Sequence, residues 1–175
     1  MSDPTLASAP LDSLTIRPAC EADVAAIAEI YNYYVRETVV TFEEEEVSPR
    51  EVQDRMADVA NASLPWLVAL AGGELVGYAY ATRWKGRSAY RFSVETTVYL
   101  KANFTGRGVG ARLYMNLLTH LREAGLHIAI GGIALPNPAS AALHQKLGFR
   151  KVAQFAEVGF KFGRWIDVGY WQLTL

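Results

Sequence analysis

Disulfides do not hold this chain together. Its 175 residues contain one cysteine, Cys20, which excludes an internal bridge and any metal site built from several cysteines. Charge of either sign is not in excess either. With 17 basic against 18 acidic residues, no broad basic field draws the chain onto nucleic acid or an anionic membrane. No apolar run reaches the ~18 residues that a membrane span requires. The opening "MSDPTLASAPLDS" has neither the basic start nor the apolar stretch of a secretory signal. Internal repeats are missing, and the one biased block is Glu43 to Glu46, read as a solvated loop or helix approach. Together these absences point to a protein of the reducing cytoplasm without nucleic-acid or membrane partners.

What remains is ordinary globular material. Hydrophobic residues make up 51% and charged residues 20%, enough apolar surface for one core in a chain of one-domain length. Residues 1–13 are small, polar and Pro-bearing, and read as a flexible N-terminal segment; residues 14–175 read as a single domain. "LTIRPA" is a short strand ended by Pro18. Val24, Ile27, Tyr31 and Tyr34 then recur at helical spacing, predicting a helix from Glu21 to Arg36 with Cys20 where a Ser or Thr would cap it. Ser48-Pro49-Arg50-Glu51 is a cleaner helix start, followed by the stripe Val52, Met56 and Val59.

"WLVALAGGELVGYAYAT" is two strands around Gly72-Gly73. In "RFSVETTVYL" Phe92, Val94, Thr96, Val98 and Leu100 share one face, and Ser93, Glu95, Thr97 and Tyr99 share the other, read as polar. Val109, Leu113, Leu117 and Leu121 predict a helix, "HIAIGGIAL" a strand, and Asn137-Pro138 a further helix closed by Gly148. "FRKVAQF" and "WIDVGYWQLTL" are closing strands. The order β-α-α-β-β-β-α-β-α-β-β predicts a mixed α/β (α+β) domain in which helices and strands share one core.

"NFTGRGVGARL", Asn103 to Leu113, joins a strand to a helix through three glycines. A nucleoside-triphosphate loop needs Gly-Lys-Ser/Thr, and Gly110-Ala111-Arg112 stands there instead. A dinucleotide fingerprint needs G-x-G-x-x-G after the first strand, and here both spacing and place differ. A metal-free anion site is left: backbone N–H groups bared by glycine, with the unsatisfied donors of the helix's first turn. Lys101, Arg107 and Arg112 stand ready to add charge.

"V-Y-L-x5-G-R-G-V-G-A", with "L-P-N-P-A-S-A-A-L-H-Q-K-L-G-F" downstream, resembles the GCN5-related N-acetyltransferases. The family pattern Arg/Gln-x-x-Gly-x-Gly/Ala is matched by Gly108 and Gly110, whereas Thr105 departs at its first position and should weaken the site rather than abolish it. The resemblance implies the acyl-CoA N-acyltransferase fold, a mixed, mostly antiparallel sheet with splayed central strands flanked by helices. Acetyl-CoA then serves as co-substrate, with no metal. Its pantetheine arm would meet the backbone of Val98, Tyr99 and Leu100, and its pyrophosphate would meet Gly106, Arg107, Gly108, Val109, Gly110 and Ala111. Gly131-Gly132 fits a close backbone approach in the other splayed strand. Asn137 has two compatible readings, a helix N-cap by its own chemistry and a pantetheine contact by resemblance. His144 stands where the family often carries a tyrosine acting as general acid; either His144 takes that role or no side chain does. Glu95 is the candidate general base, with the Val98 N–H turned to the oxyanion.

"ETVVTFE", "WKGRSAYRFSVETTVYL", "ALPNPAS" and "GFKFGRWIDVGYWQL" are similar to the phosphinothricin acetyltransferase group, which also acetylates methionine sulfoximine and methionine sulfone. This covers Thr15 to Leu175. It implies acetylation of the α-amino group of a small amino acid, by direct transfer in a ternary complex. Arg87, in preference to Arg91, is the candidate for the substrate carboxylate. Tyr31, Tyr34, Thr38, Phe42 and Tyr90 are candidates for the acceptor pocket beside Glu95, although Tyr31 and Tyr34 also fit the apolar helix stripe and core packing is the better reading for at least one of them. Trp84 and Trp165 either wall the pocket or pack. The aromatic C-terminal segment, with similar proteins being dimers, predicts a homodimer. The alternatives are another amine (a polyamine, an antibiotic or a protein N-terminus) or an acyl-CoA sensor without turnover.

Overall fold

The computed structural model describes residues 14–175; the expected flexible segment, residues 1–13, lies outside the described residues. Seven strands form one sheet in the order β1-β2-β3-β4-β5-β7-β6. These are β1 (Thr15–Pro18), β2 (Trp66–Ala71), β3 (Glu74–Arg83), β4 (Ser93–Leu100), β5 (Ile128–Leu135), β6 (Arg150–Lys161) and β7 (Arg164–Thr174). Four helices cover it: α1 (Val24–Glu37), α2 (Pro49–Asn61), α3 (Val109–Glu123) and α4 (Pro138–Lys146). Order and type of the elements follow the sequence reading. None of the described helices is long and apolar enough to cross a membrane.

Strand alternation sorts the core into two layers. Leu67, Ala69, Ala79, Ala81 and Val94 pack with Leu113, Leu117 and Leu121 of α3, while Val68 and Tyr78 pack with Ile27, Tyr31 and Val35 of α1 and Val52 and Val59 of α2. The supposed polar face of β4 is therefore corrected. Tyr99 lies against the rings of Tyr31, Tyr34 and Tyr78, because α1 covers that side of the sheet. Both faces of β4 are covered, and Glu95 is left half-buried.

Helix ends follow local chemistry. Ahead of α1 a single 3-10 turn spans Glu21–Asp23, and the Asp23 carboxylate, not the Cys20 thiol, is the polar anchor. It accepts the Cys20 N–H at 2.8 Å and both guanidinium nitrogens of Arg17 at 2.7 and 2.8 Å. At α2 the expected reciprocal box forms: the Glu51 N–H donates to Ser48 Oγ, and the Ser48 N–H donates to Glu51 Oε2. The four glutamates are less free than expected, since Glu43 pairs with Arg55 of α2 and Glu46 with Arg36 of α1.

All strand pairs are antiparallel except β4–β5. That parallel ladder joins only Ser93–Glu95 to Ile128–Ile130. Beyond it β4 stays on β3 as far as Leu100, and β5 stays on β7 as far as Leu135. The strands part at a fork, as the resemblance implied. β6, an edge strand, runs longer than expected, with a register shift between Phe155 and Gly159 and a positive φ at Glu157. Its far end carries Gly159 and Lys161 toward the α1–α2 loop.

Candidate active site

A cavity of about 420 Å³ opens at the fork. Glu95, the last β4 residue paired with β5, stands in its wall. A Cβ built on Gly132 would lie 3.2 Å from Glu95 Oε1 and 3.3 Å from the Tyr170 ring, so the absence of a side chain there lets the carboxylate lie over β5. Burial raises the Glu95 pKa above the usual carboxylate range, and the charge of Lys85 opposes that rise. A half-buried carboxylate of raised proton affinity, facing a cavity, suits proton abstraction from an ammonium near neutral pH.

The loop after β4 fits an anion. Gly106 and Gly108 have φ of 71° and 83°, and the space a Cβ would fill is open at both. Gly108 is the N-cap of α3 and no side chain caps that helix, leaving its first-turn amides facing outward. Val109 is buried in the core, Ala111 half-buried, and Gly110 is pressed by Leu100, whose Cδ1 would lie 3.3 Å from a Cβ there. Arg107 lies over the Phe104 ring. Lys101 pairs with Glu74 at 2.7 Å, and Arg112 turns toward the Leu14 carbonyl. Val98 and Tyr99 line the cavity. Asn137 lines it as well, while its Oδ1 accepts the Ser140 N–H at 3.0 Å as the cap of α4.

The opposite wall comes from distant parts of the chain. Val40, Thr41 and Phe42 of the α1–α2 loop face Val158 of β6. A Cβ on Gly159 would overlap the Phe42 ring, so ring and bare backbone are in direct contact. Lys161, 0% exposed, donates from Nζ to the Thr41 carbonyl at 2.8 Å. Thr41 Oγ1 in turn lies 2.7 Å from Tyr31 Oη.

The acetyltransferase (GNAT) domain family matches residues 16–169. This chain belongs to the GNAT acetyltransferase family. It is 40% identical to a phosphinothricin N-acetyltransferase of Streptomyces coelicolor over 164 residues, covering 91% of this chain and 95% of the relative. It is 38% identical to an L-methionine sulfoximine/L-methionine sulfone acetyltransferase of Salmonella typhimurium, covering 93% and 95%. Its fold superposes on a GNAT superfamily phosphinothricin acetyltransferase from Sinorhizobium meliloti, solved with AcCoA, at a TM-score of 0.90. Identity there is 37%, covering 93% of this chain and 89% of the other.

Several residues expected at this GNAT site lie outside the cavity wall. Tyr31 is buried, edge-on to Tyr99, because it sits on the apolar stripe of α1. Thr38 ends α1, donating from Oγ1 to the Tyr34 carbonyl. Arg87 and Tyr90 lie exposed on the short 3-10 turn ahead of β4, and Arg91 stacks on Phe92. Tyr34 donates to the Leu100 carbonyl instead of facing a ligand. His144, 4% exposed, points beneath β5 with both ring nitrogens engaged. Trp84 backs Tyr170 edge-on, and Trp165 is exposed.

Sequence reasoning passed over Thr96, Tyr114, Tyr170, Lys85 and Lys161. Lys85 carried a usable signal, as a cation in the same stretch as Arg87. Lys161 carried none, since an alternating lysine near a chain end reads as solvated until the fold buries it.

Proposed function

We infer that this GNAT domain transfers an acetyl group from acetyl-CoA to the α-amino group of a small amino acid such as phosphinothricin, methionine sulfoximine or methionine sulfone. The observation that carries the reading is Glu95 at the fork, its half-buried carboxylate lying over Gly132 in the cavity wall. The named activities of the relatives support the substrate class. The glycine loop fits the pyrophosphate of acetyl-CoA because Gly106 and Gly108 leave their Cβ space open beside uncapped helix amides. In this reading Gly106 to Ala111 hold the pyrophosphate, and Val98 to Leu100 with Asn137 hold the pantetheine arm. Bound there, the co-substrate supplies an activated acetyl thioester. Glu95 takes the ammonium proton, directly or through water, so that a neutral amine faces the fork. Transfer is direct: Cys20, the only cysteine, stands before α1 beside Arg17.

The substrate carboxylate needs a cation. Arg87 remains a candidate, and Lys85 joins it: both lie exposed ahead of β4, and the charge of Lys85 reaches Glu95. Phe42 and Val158 supply the apolar side of the acceptor wall. We read the enzyme as a cytoplasmic homodimer. Phe155, Phe160, Phe162 and Trp165 on the β6–β7 hairpin are each more than half exposed, an apolar surface that a second copy would cover. Sedimentation of a stable monomer at micromolar concentration would remove the dimer.

The test of function is thiol release from acetyl-CoA with phosphinothricin, methionine sulfoximine, methionine sulfone, spermidine, free amino acids and a short peptide. The three amino acid analogues should give the highest kcat/KM. Turnover of spermidine or the peptide alone would replace the substrate class. Tight acetyl-CoA binding without any turnover would make the domain a sensor.

A further inference from the structure

Three buried side chains tie β4 to β5 at the fork, and the chemistry assigned above uses none of them. Thr96, the first β4 residue past the last β4–β5 pair, donates its hydroxyl to the Ile130 carbonyl at 3.1 Å. Ile130 is the last β5 residue paired with β4, so a side chain takes the acceptor at the point where that ladder stops. Thr96 Oγ1 lies 2.5 Å from Tyr114 Oη, and Tyr114 Oη lies 3.1 Å from His144 Nε2. On its other side the His144 ring places Nδ1 2.8 Å from the Ser140 carbonyl, which can only accept. Nδ1 therefore carries the ring proton.

Burial lowers the His144 pKa and keeps the ring neutral, so Nε2 accepts the Tyr114 hydroxyl proton. The Thr96 proton is then shared between Tyr114 Oη and the Ile130 carbonyl. His144 holds no proton directed at the cavity, which argues against its acting as the general acid. Gly131 completes the arrangement. It follows Ile130 in β5, and a Cβ there would overlap His144 Nε2, so the ring presses on bare backbone where β5 leaves β4.

We propose that His144, acting through Tyr114 and Thr96, is a positioning residue that fixes where β4 and β5 part and so the width of the slot for acetyl-CoA. The proposal rests on the acetyl-CoA reading of the site.

Thr96→Val removes one hydroxyl at nearly constant shape, Thr96→Ser keeps it, and His144→Phe removes both ring bonds. Calorimetric binding of acetyl-CoA and the pH profile of kcat are measured for each. Thr96→Val and His144→Phe should weaken acetyl-CoA about fivefold to tenfold, the equivalent of one or two lost hydrogen bonds. Thr96→Ser should stay within about twofold, since it loses only a methyl group and some side-chain order. The shape of the pH profile should not change in any of them. A wild-type dissociation constant in His144→Phe, with the alkaline limb of the profile gone, would assign His144 direct proton transfer and overturn the proposal. Wild-type affinity in Thr96→Val would overturn it too, and that comparison stands even where His144→Phe does not fold. Wild-type protein that binds acetyl-CoA yet acetylates none of the amino acids would sink the substrate reading while leaving the affinity comparison decisive. Wild-type protein that does not bind acetyl-CoA would overturn both.

Discussion

Apart from Asn137 and the β5 side of the fork, the half of the site assigned to acetyl-CoA is one continuous stretch, β4 through α3, whereas the acceptor half joins the α1–α2 loop to the β6–β7 hairpin, 120 positions further along at the Thr41–Lys161 bond. The first is held by backbone geometry that its own residues dictate: a strand on β3, two glycines at positive φ, a helix start. The second exists only once the chain has folded, through a buried lysine and a phenylalanine pressed on a bare glycine. A cofactor common to a family can be held by a local motif, while a pocket that selects its amine is assembled from long-range contacts.

Glu95 stands where the halves meet, and its loss should have the largest effect. Glu95→Gln should lower kcat by about 10²- to 10⁴-fold, the usual worth of a positioned base, with acetyl-CoA affinity little changed. Burial raises the Glu95 pKa, and in the proposed role of base its working form is the deprotonated one. Activity should therefore fall as pH drops through a value above the usual carboxylate range, and this acid limb should vanish in Glu95→Gln. A limb that persists would hand the proton to another group.

The next variants separate the halves. Gly108 holds φ at 83°, where a residue with a Cβ costs about 1–2 kcal/mol. In Gly108→Ala the free loop relaxes and binding must restore the left-handed conformation, so acetyl-CoA affinity should fall about tenfold while the KM of the amino acid holds. Lys161→Met should do the reverse. Without the Nζ donor the Thr41 carbonyl loses its buried partner, the Phe42 wall loosens, and the amino acid KM should rise about fivefold to tenfold with acetyl-CoA affinity unchanged. If Lys161→Met moved both constants together, the two halves would be one mechanical unit.

The same contrast decides what could be read without a structure. Element order, both helix caps at Ser48 and Asn137, and the glycine loop were legible because each is fixed within a few residues. Glu95 was legible as a base candidate, but its place over Gly132 beside Tyr170 was not, nor was the cover that α1 lays over Tyr99, on a face that alternation alone marks as polar. Tyr31 and Thr38 were misplaced for the same reason. They belong to the helix that does the covering, one packed inward and the other closing its last turn, so neither reaches the cavity. His144 was assigned by position in a motif, and only the fold turns its ring under Gly131.

Thr105 should give the smallest effect and the finest test of how local the first half is. Its hydroxyl donates to the Ala102 carbonyl at 2.8 Å, closing the short turn that leads into the glycine loop. Thr105→Gln restores the residue type of the family pattern and adds a side-chain amide donor near the anion site, but it gives up that turn bond. If backbone amides carry most of the pyrophosphate binding, one donor gained against one bond lost should leave acetyl-CoA affinity within about threefold of wild type. Tightening by tenfold or more would mean that the loop is limited by its missing side-chain donor. The glycines would then be only half of the motif's strength, and the acetyl-CoA half less self-sufficient than its continuity suggests.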